Sequence, residues 1–318
     1  MKSVWGSRNL LYKTVRDFFD GLNFLEVETP IIVPSPGTEI YLDYFSTYWL
    51  DHQGKSNPLF MRSSPELHLK KILATTKENR VFEIAKTFRN GGELSDWHHP
   101  EFTLLEWYQT QISFEDFMLQ TEDLIRTVFT TFDSPFKLPN TFPRISVAEA
   151  FAKYADIDLV DEDPDLGTKG KQKGFHSLKV EDDFETAFFK IMLDVIEPEL
   201  KKLKACFLYD YPSSMAALSK IENDHAKRFE VYIDGVEICN AFSELLDPNE
   251  NLKRINDSNA KRTQIGKPKM PIDQGFIDAL NQGMEPCCGN ALGLDRLLAI
   301  AIGAASIGEV IPFRGNFK

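Results

Sequence analysis

Residues 228–242 constrain the fold more than any other stretch. Two strand-like runs, 228–233 and 236–242, flank Asp234-Gly235, a dipeptide that accepts the positive φ of a two-residue hairpin turn. A second pair of strand-like runs, 81–89 and 101–108, encloses a polar loop from Asn90 to Pro100. Hairpins, rather than strands alternating with crossover helices, predict an α+β fold with an antiparallel β-sheet flanked by helices. The sequence contains neither G-x-x-x-x-G-K-[ST] nor G-x-G-x-x-G. A bound nucleotide would therefore be held without the usual glycine-rich phosphate loops.

Apolar spacing predicts helices over 8–19 and 114–132. Gly21 closes the first, and a short strand over 23–27 stops at Thr29-Pro30. Ser64-Pro65-Glu66 reads as a helix start, with Ser64 as cap and Pro65 at the first helical position. Gly289 opens a turn into a strongly apolar, buried helix that runs to Gly303. Residues 161–183 are the least structured, and Lys169-Gly170-Lys171-Gln172-Lys173 within them reads as a solvated loop.

With 42% hydrophobic and 26% charged residues the chain has the material for a sizeable core. It has no apolar run near the ~18 residues of a membrane helix, and Met1 to Gly6 has no apolar leader character. Both point to a cytoplasmic protein with no membrane contact. None of the four cysteines lies in a C-x-x-C pair, which fits reduced thiols. Lys and Arg number 36 against 48 Asp and Glu, a net charge of −12. That balance leaves room for a local basic patch but argues against extensive tRNA contact.

Three clusters are able to carry chemistry. Alternation sets Phe102, Leu104, Glu106 and Tyr108 on one strand face, with Arg89 ending the partner strand. This is either a ligand platform or half-exposed sheet surface. The hairpin turn pairs Tyr232 with Glu237 and Glu230 with Cys239, so Glu230, Tyr232 and Glu237 share a face. Asn240 falls on the other face unless the strand bends, bulges or ends there, and Glu244 follows. Carboxylates gathered without an obvious cation call for a metal or an ammonium, unless the strand simply faces solvent. Arg296, on the first turn of an apolar helix, pairs internally with a carboxylate such as Asp295 or binds a phosphate.

Taken in order, these segments resemble the three signature motifs of class II aminoacyl-tRNA synthetases. Gly21 to Pro30 is similar to motif 1; Phe88-Arg89 with His98-His99-Pro100-Glu101-Phe102 to motif 2; Gly289 to Leu297 to motif 3. Ser64-Pro65-Glu66-Leu67, Pro100 to Tyr108 and Glu237 to Leu245 resemble the amino-acid and ATP site of the lysyl branch. Within that branch the chain is most similar to the ligases that attach (R)-β-lysine to a lysine side chain of elongation factor P. The closing stretch from Met270 to Pro312 follows that pattern. Ala291 stands where lysyl-tRNA synthetases usually have Gly, and the start close to motif 1 leaves no room for an anticodon-binding domain.

The resemblance implies one catalytic domain over 1–318, with motif 1 at about 8–30, motif 2 at about 81–108 and motif 3 at about 289–303. It implies a homodimer built on motif 1, and an ATP-dependent ligase that activates (R)-β-lysine or lysine with Mg²⁺ and uses elongation factor P as acceptor. Arg89 and Arg296 become the catalytic pair. ATP contacts fall to Arg89, Asn90, Glu93, His98, His99, Phe102, Glu237, Ile238, Gly293 and Arg296. Substrate contacts fall to Ser64, Pro65, Glu66, Glu106, Tyr108, Asn240, Glu244 and Ala291, and the metal to Glu230 and Glu237. Glu244 would take the distal amine and Glu66 the amine nearer the carboxylate. A one-residue lengthening of the motif 2 loop moves its glutamate to Glu93, and His99 stands where Asn is common. A tRNA-charging lysyl-tRNA synthetase without its anticodon domain and a non-catalytic regulatory paralogue are the alternatives. Arg89, Glu237, Glu244 and Arg296 speak against the second, because a non-catalytic domain has no need of that buried charge.

Overall fold

The computed structural model describes residues 3–92 and 95–313. By its internal contacts the chain divides into two compact units, 1–136 with 244–318, and 137–243. Among the described residues no helix is long and apolar enough to cross a membrane.

The first unit begins with helix Val4–Gly21, whose N-cap Ser3 accepts a hydrogen bond from the Gly6 amide at 3.2 Å. Its periodicity is the one the sequence predicts. Leu11, Val15 and Phe19 are wholly buried, and the Phe19 ring stacks on Phe82 with centroids 4.6 Å apart. Strands Leu25–Glu26, Arg80–Phe88, Glu101–Thr110 and Cys287–Gly293 lie side by side in that order. The first pair is parallel and the other two are antiparallel. The sheet is therefore mixed, with a parallel strand added at the edge of the expected antiparallel one. From Thr103 onward strand Glu101–Thr110 is buried on both faces, so it is not a half-exposed surface. Strands Ile32–Val33, Ser56–Met61 and Ser46–Leu50 form a separate small sheet.

Helix Glu66–Thr75 starts one residue later than its sequence suggests. Pro65 is the N-cap, and the Ser64 hydroxyl instead accepts a hydrogen bond from the Glu66 amide at 3.0 Å. The expected turn at Gly289 is strand Cys287–Gly293, and helix Leu294–Ile302 begins only after it. Helices Pro248–Gln264 and Gln274–Gln282 complete this unit. The polar pattern of the first hides its helical face, which buries Asn251, Ile255, Asn259 and Arg262.

The second unit orders strands Val236–Ser243, His225–Ile233, Ala205–Pro212 and Arg144–Ser146, the last pair parallel. The Asp234-Gly235 hairpin forms as expected, with φ of 52° and 79° at its two turn residues. The lysine-rich run is not a loop. Lys169 to Gln172 lie in helix Leu166–Gln172 with Lys173 as its C-cap, and Gly170 is packed so tightly that an added Cβ would fall 2.1 Å from Leu178 Cδ1. That glycine is there for close approach. All four cysteines are buried free thiols, in keeping with their spacing.

Candidate active site

In the first unit an acidic pocket is built from four elements. Register places Tyr108 opposite Gly289, Glu106 opposite Ala291 and Leu104 opposite Gly293. Because directly paired residues point to the same side, these three small residues form a floor beside Glu106 and Tyr108. An added Cβ at Gly289 would lie 2.1 Å from Tyr108 Cε1 and 2.5 Å from Glu244 Oε1. Replacing Gly289 with alanine should therefore displace both side chains, which a shift of the Tyr108 ring resonances in NMR spectra of the variant checks.

Glu66, Glu106 and Glu244 come together here, as expected, but so does a cation the sequence reading missed. Lys70 Nζ lies 2.6 Å from Glu66 Oε1 and 2.5 Å from Glu244 Oε2. Lys70 and Glu244 side chains are each only 1% exposed. Burial alone would lower the Lys70 pKa, yet the charges of Glu244 and Glu66 raise it. Burial pushes Glu244 up to about 7, opposed by Lys70 and reinforced by Glu66. Glu106 is held well above the ordinary carboxylate range by burial and then by Glu66. Burial likewise raises the Tyr108 phenol. Glu244 Oε1 and Glu106 Oε1 are buried with no hydrogen-bond donor, while Lys70 alone serves Glu244 Oε2. Such orphaned acceptors cost free energy unless a donor arrives, and an ammonium is the donor their charge prefers.

The phosphate-binding candidates lie in the same unit. Arg89 is exposed, with its guanidinium carbon 5.1 Å from the Phe102 ring centroid. One face of Phe102 is thus covered by Arg89. Arg296, on the first turn of helix Leu294–Ile302, donates from Nε to Trp97 O at 3.1 Å and meets His98 Nε2 at 2.9 Å. Because a guanidinium only donates, His98 Nε2 is the acceptor; its Nδ1 proton then faces Ser95 Oγ at 2.7 Å. The pairing of Arg296 with Asp295 does not occur. Asp295 is buried and taken by Arg8 at 2.5 Å and by the Thr103 amide at 2.7 Å. Asn90 bridges to Asp43, and its Oδ1 accepts from the Gly91 amide. His99 turns back on its own strand, Nδ1 lying 2.6 Å from Glu101 O. Glu93 lies outside the described residues.

The second unit carries its own polar face, with a register that differs from the expected one. Tyr232 does pair with Glu237, but a bulge at Ile238 sets Glu230 opposite Asn240 instead of Cys239. The extra residue swings Asn240 onto the face of Glu230, Tyr232 and Glu237. Ile238 itself is 2% exposed, so any role in binding falls to its backbone. The premise that these carboxylates lack a cation is also corrected. Arg228 NH2 lies 2.5 Å from Glu230 Oε1, Tyr232 donates to Glu230 Oε2 at 2.9 Å, and Asn240 Nδ2 is 3.3 Å from Glu230 Oε1. Arg228 sits two residues before Glu230, so strand alternation alone would have found it. Among the described residues no group of three or more His, Cys, Asp or Glu forms a ready metal cage. A nucleotide-bound Mg²⁺ needs only one or two carboxylates, because phosphates and water supply the rest. Glu237 and Glu230 fit that smaller demand.

A family model for the class II tRNA synthetases (D, K and N) matches residues 1–316. The chain belongs to this family. Two relatives of this class II synthetase are each named elongation factor P–(R)-β-lysine ligase. The one from Hamiltonella defensa (subsp. Acyrthosiphon pisum, strain 5AT) is 34% identical over 310 residues, covering 95% of this chain and 92% of the relative. The one from Yersinia enterocolitica (serotype O:8 / biotype 1B) is 35% identical over 312 residues, 96% and 93% respectively. By family, this chain is a ligase of the class II synthetase type. Its family model spans both units of the chain.

Proposed function

We propose that the chain activates (R)-β-lysine or lysine with ATP and transfers the acyl group to a lysine side chain of elongation factor P. What carries this reading is the acidic pocket: Glu244 is buried with its Oε1 short of a donor, beside Glu66 and Glu106. A diamino acid brings two ammonium groups to such acceptors. Glu244 takes the distal amine and Glu66 the amine nearer the carboxylate, with Tyr108 and Ser64 framing the pocket and Ala291 shaping the floor on which the amino-acid backbone rests.

A carboxylate oxygen of the amino acid attacks the α-phosphorus of ATP, and the bond to pyrophosphate breaks. The acceptor amine then attacks the acyl carbon, AMP leaves, and the amine proton passes to solvent or to a released phosphate oxygen. No protein nucleophile is required, so catalysis is positioning and charge neutralisation. Arg89 serves the α-phosphate and Arg296 the γ-phosphate; both are always charged and grip oxygens bidentately. Phe102 offers adenine a ring, and Glu237 with Glu230 beside it would be the residues to hold Mg²⁺, which would supply positive charge.

The names of the two relatives support the choice of substrate and acceptor. Exposed Leu25, within the segment similar to motif 1, and exposed Ile31 and Ile32 just after it support a homodimer. ATP–pyrophosphate exchange with α-lysine and (R)-β-lysine tests activation. Incubation with elongation factor P and, separately, with tRNA tests the acceptor: a mass shift on the protein is expected, and charged tRNA would overturn the reading.

A further inference from the structure

We propose that Lys70 is a positioning residue for amino-acid recognition, an internal counter-ion whose ammonium clamps Glu66 and Glu244 at a fixed spacing and keeps the buried carboxylate charged for the substrate. The proposal rests on the diamino-acid reading of the pocket, but its first test does not require substrate.

Lys70 lies four residues after Glu66 on the same helix and faces inward among Leu69, Leu73 and the strand residues. A lysine on a buried stripe is costly unless it is paired. Here its Nζ reaches both carboxylates, 2.6 Å from Glu66 Oε1 and 2.5 Å from Glu244 Oε2. The contact leaves Glu244 Oε1 buried with no donor, against the bare backbone of Gly289. Lys70 therefore engages one side of Glu244 and leaves the other for an incoming ammonium.

The groups that face Glu244 come from three elements: Lys70 and Glu66 from the helix, Tyr108 and the neighbouring Glu106 from one strand, and Cys287 from the next. Of these, Lys70 alone is positive. Burial and Glu66 drive Glu244 towards protonation, and Lys70 holds it back at about 7. A protonated Glu244 loses the charge that selects an ammonium. An opposite charge at such range moves a carboxyl by about 1–3 pH units, so without Lys70 Glu244 is protonated over more of the physiological range.

The test uses the full chain with its glutamates labelled at the side-chain carboxyl carbon and no substrate present. The Glu244 resonance is assigned by its loss in Glu244→Gln. Its midpoint in Lys70→Met is expected to lie at least one pH unit, a tenfold change in proton affinity, above wild type. Lys70→Arg, which keeps the charge, should stay within about half a unit. The acid limb of kcat/KM for diamino-acid-dependent exchange should rise by the same amount while the KM for ATP is unchanged. An unmoved carboxyl midpoint in folded Lys70→Met, or a loss of exchange equal at every pH, would overturn the role. If Lys70→Met does not fold, the wild-type Lys70 amine decides: it should remain an ammonium to pH 10 by nitrogen NMR, and a neutral amine at pH 8 refutes the clamp. Failure of the diamino-acid reading looks different, because no diamino acid then supports exchange in the wild type while the carboxyl midpoint still moves.

Discussion

Replacing Arg296 with alanine should lower amino-acid-dependent ATP–pyrophosphate exchange by about 10³-fold and leave the fold intact. The structure removes Asp295 as the internal partner of this residue. Its neighbour Asp295 is committed to Arg8 and to the Thr103 amide, so that carboxylate does not neutralise the Arg296 guanidinium. The guanidinium is instead aimed by a backbone carbonyl and a histidine nitrogen, Trp97 O and His98 Nε2. Both acceptors are neutral, and they fix the direction in which the guanidinium points. Charge aimed in advance at the place where phosphate oxygens gain negative charge is the largest catalytic contribution a site without a protein nucleophile offers. The hydrogen bonds to Trp97 O and His98 Nε2 are partly exposed and contribute about 1 kcal/mol each, so their loss should move the thermal midpoint by only a few degrees. Arg296→Lys should recover part of the loss, since it keeps the charge and loses the fork. Exchange at wild-type rate in Arg296→Ala, with the protein folded, would remove the phosphate role.

Most of what positions this site was legible where it is local and periodic. The helix carrying Leu11, Val15 and Phe19, the Asp234-Gly235 hairpin and the paired strands flanking the motif 2 loop follow from spacing and turn chemistry alone. Gly170 and Gly289 carry loop and turn signatures, yet each sits in regular structure where a neighbouring side chain approaches too closely for a Cβ. Nothing local in a sequence separates a glycine that breaks an element from one that lets two elements touch. The bulge at Ile238 was equally hidden, because one extra residue in a strand leaves no compositional mark, and it is what brings Asn240 round to Glu230. Partners far apart in the chain were the other blind spot. Arg8 and Asp295 are 287 residues apart, and Lys70 meets Glu244 only through the fold. The sequence exposed the carboxylates and arginines of the site but not the charges that neutralise or orient them.

Glu244→Gln is expected to raise the KM for the diamino acid by about 10³-fold while changing the KM for ATP little. Breaking one partner of a buried charge pair costs about 3–5 kcal/mol, and each 1.4 kcal/mol is about a factor of ten in affinity. The amide keeps the shape of the carboxylate, so the loss reads charge rather than packing. The pH dependence supplies a second and sharper check. Glu244 sits at about 7 against an ordinary value of 4.5, raised first by burial. The substrate ammonium binds the ionised form, so wild-type affinity should strengthen as pH rises from 6 to 8 and level off above that. Stability runs the other way. A folded-state pKa above the unfolded one means the folded protein holds its proton more tightly, a contribution fully present below 4.5 and lost as pH rises through about 7. Glu244→Gln should flatten both trends at once, binding followed by exchange kinetics and stability by urea denaturation at pH 6 and 8. If the mutant keeps the wild-type pH dependence of binding, another group titrates in the pocket and the distal ammonium is held elsewhere.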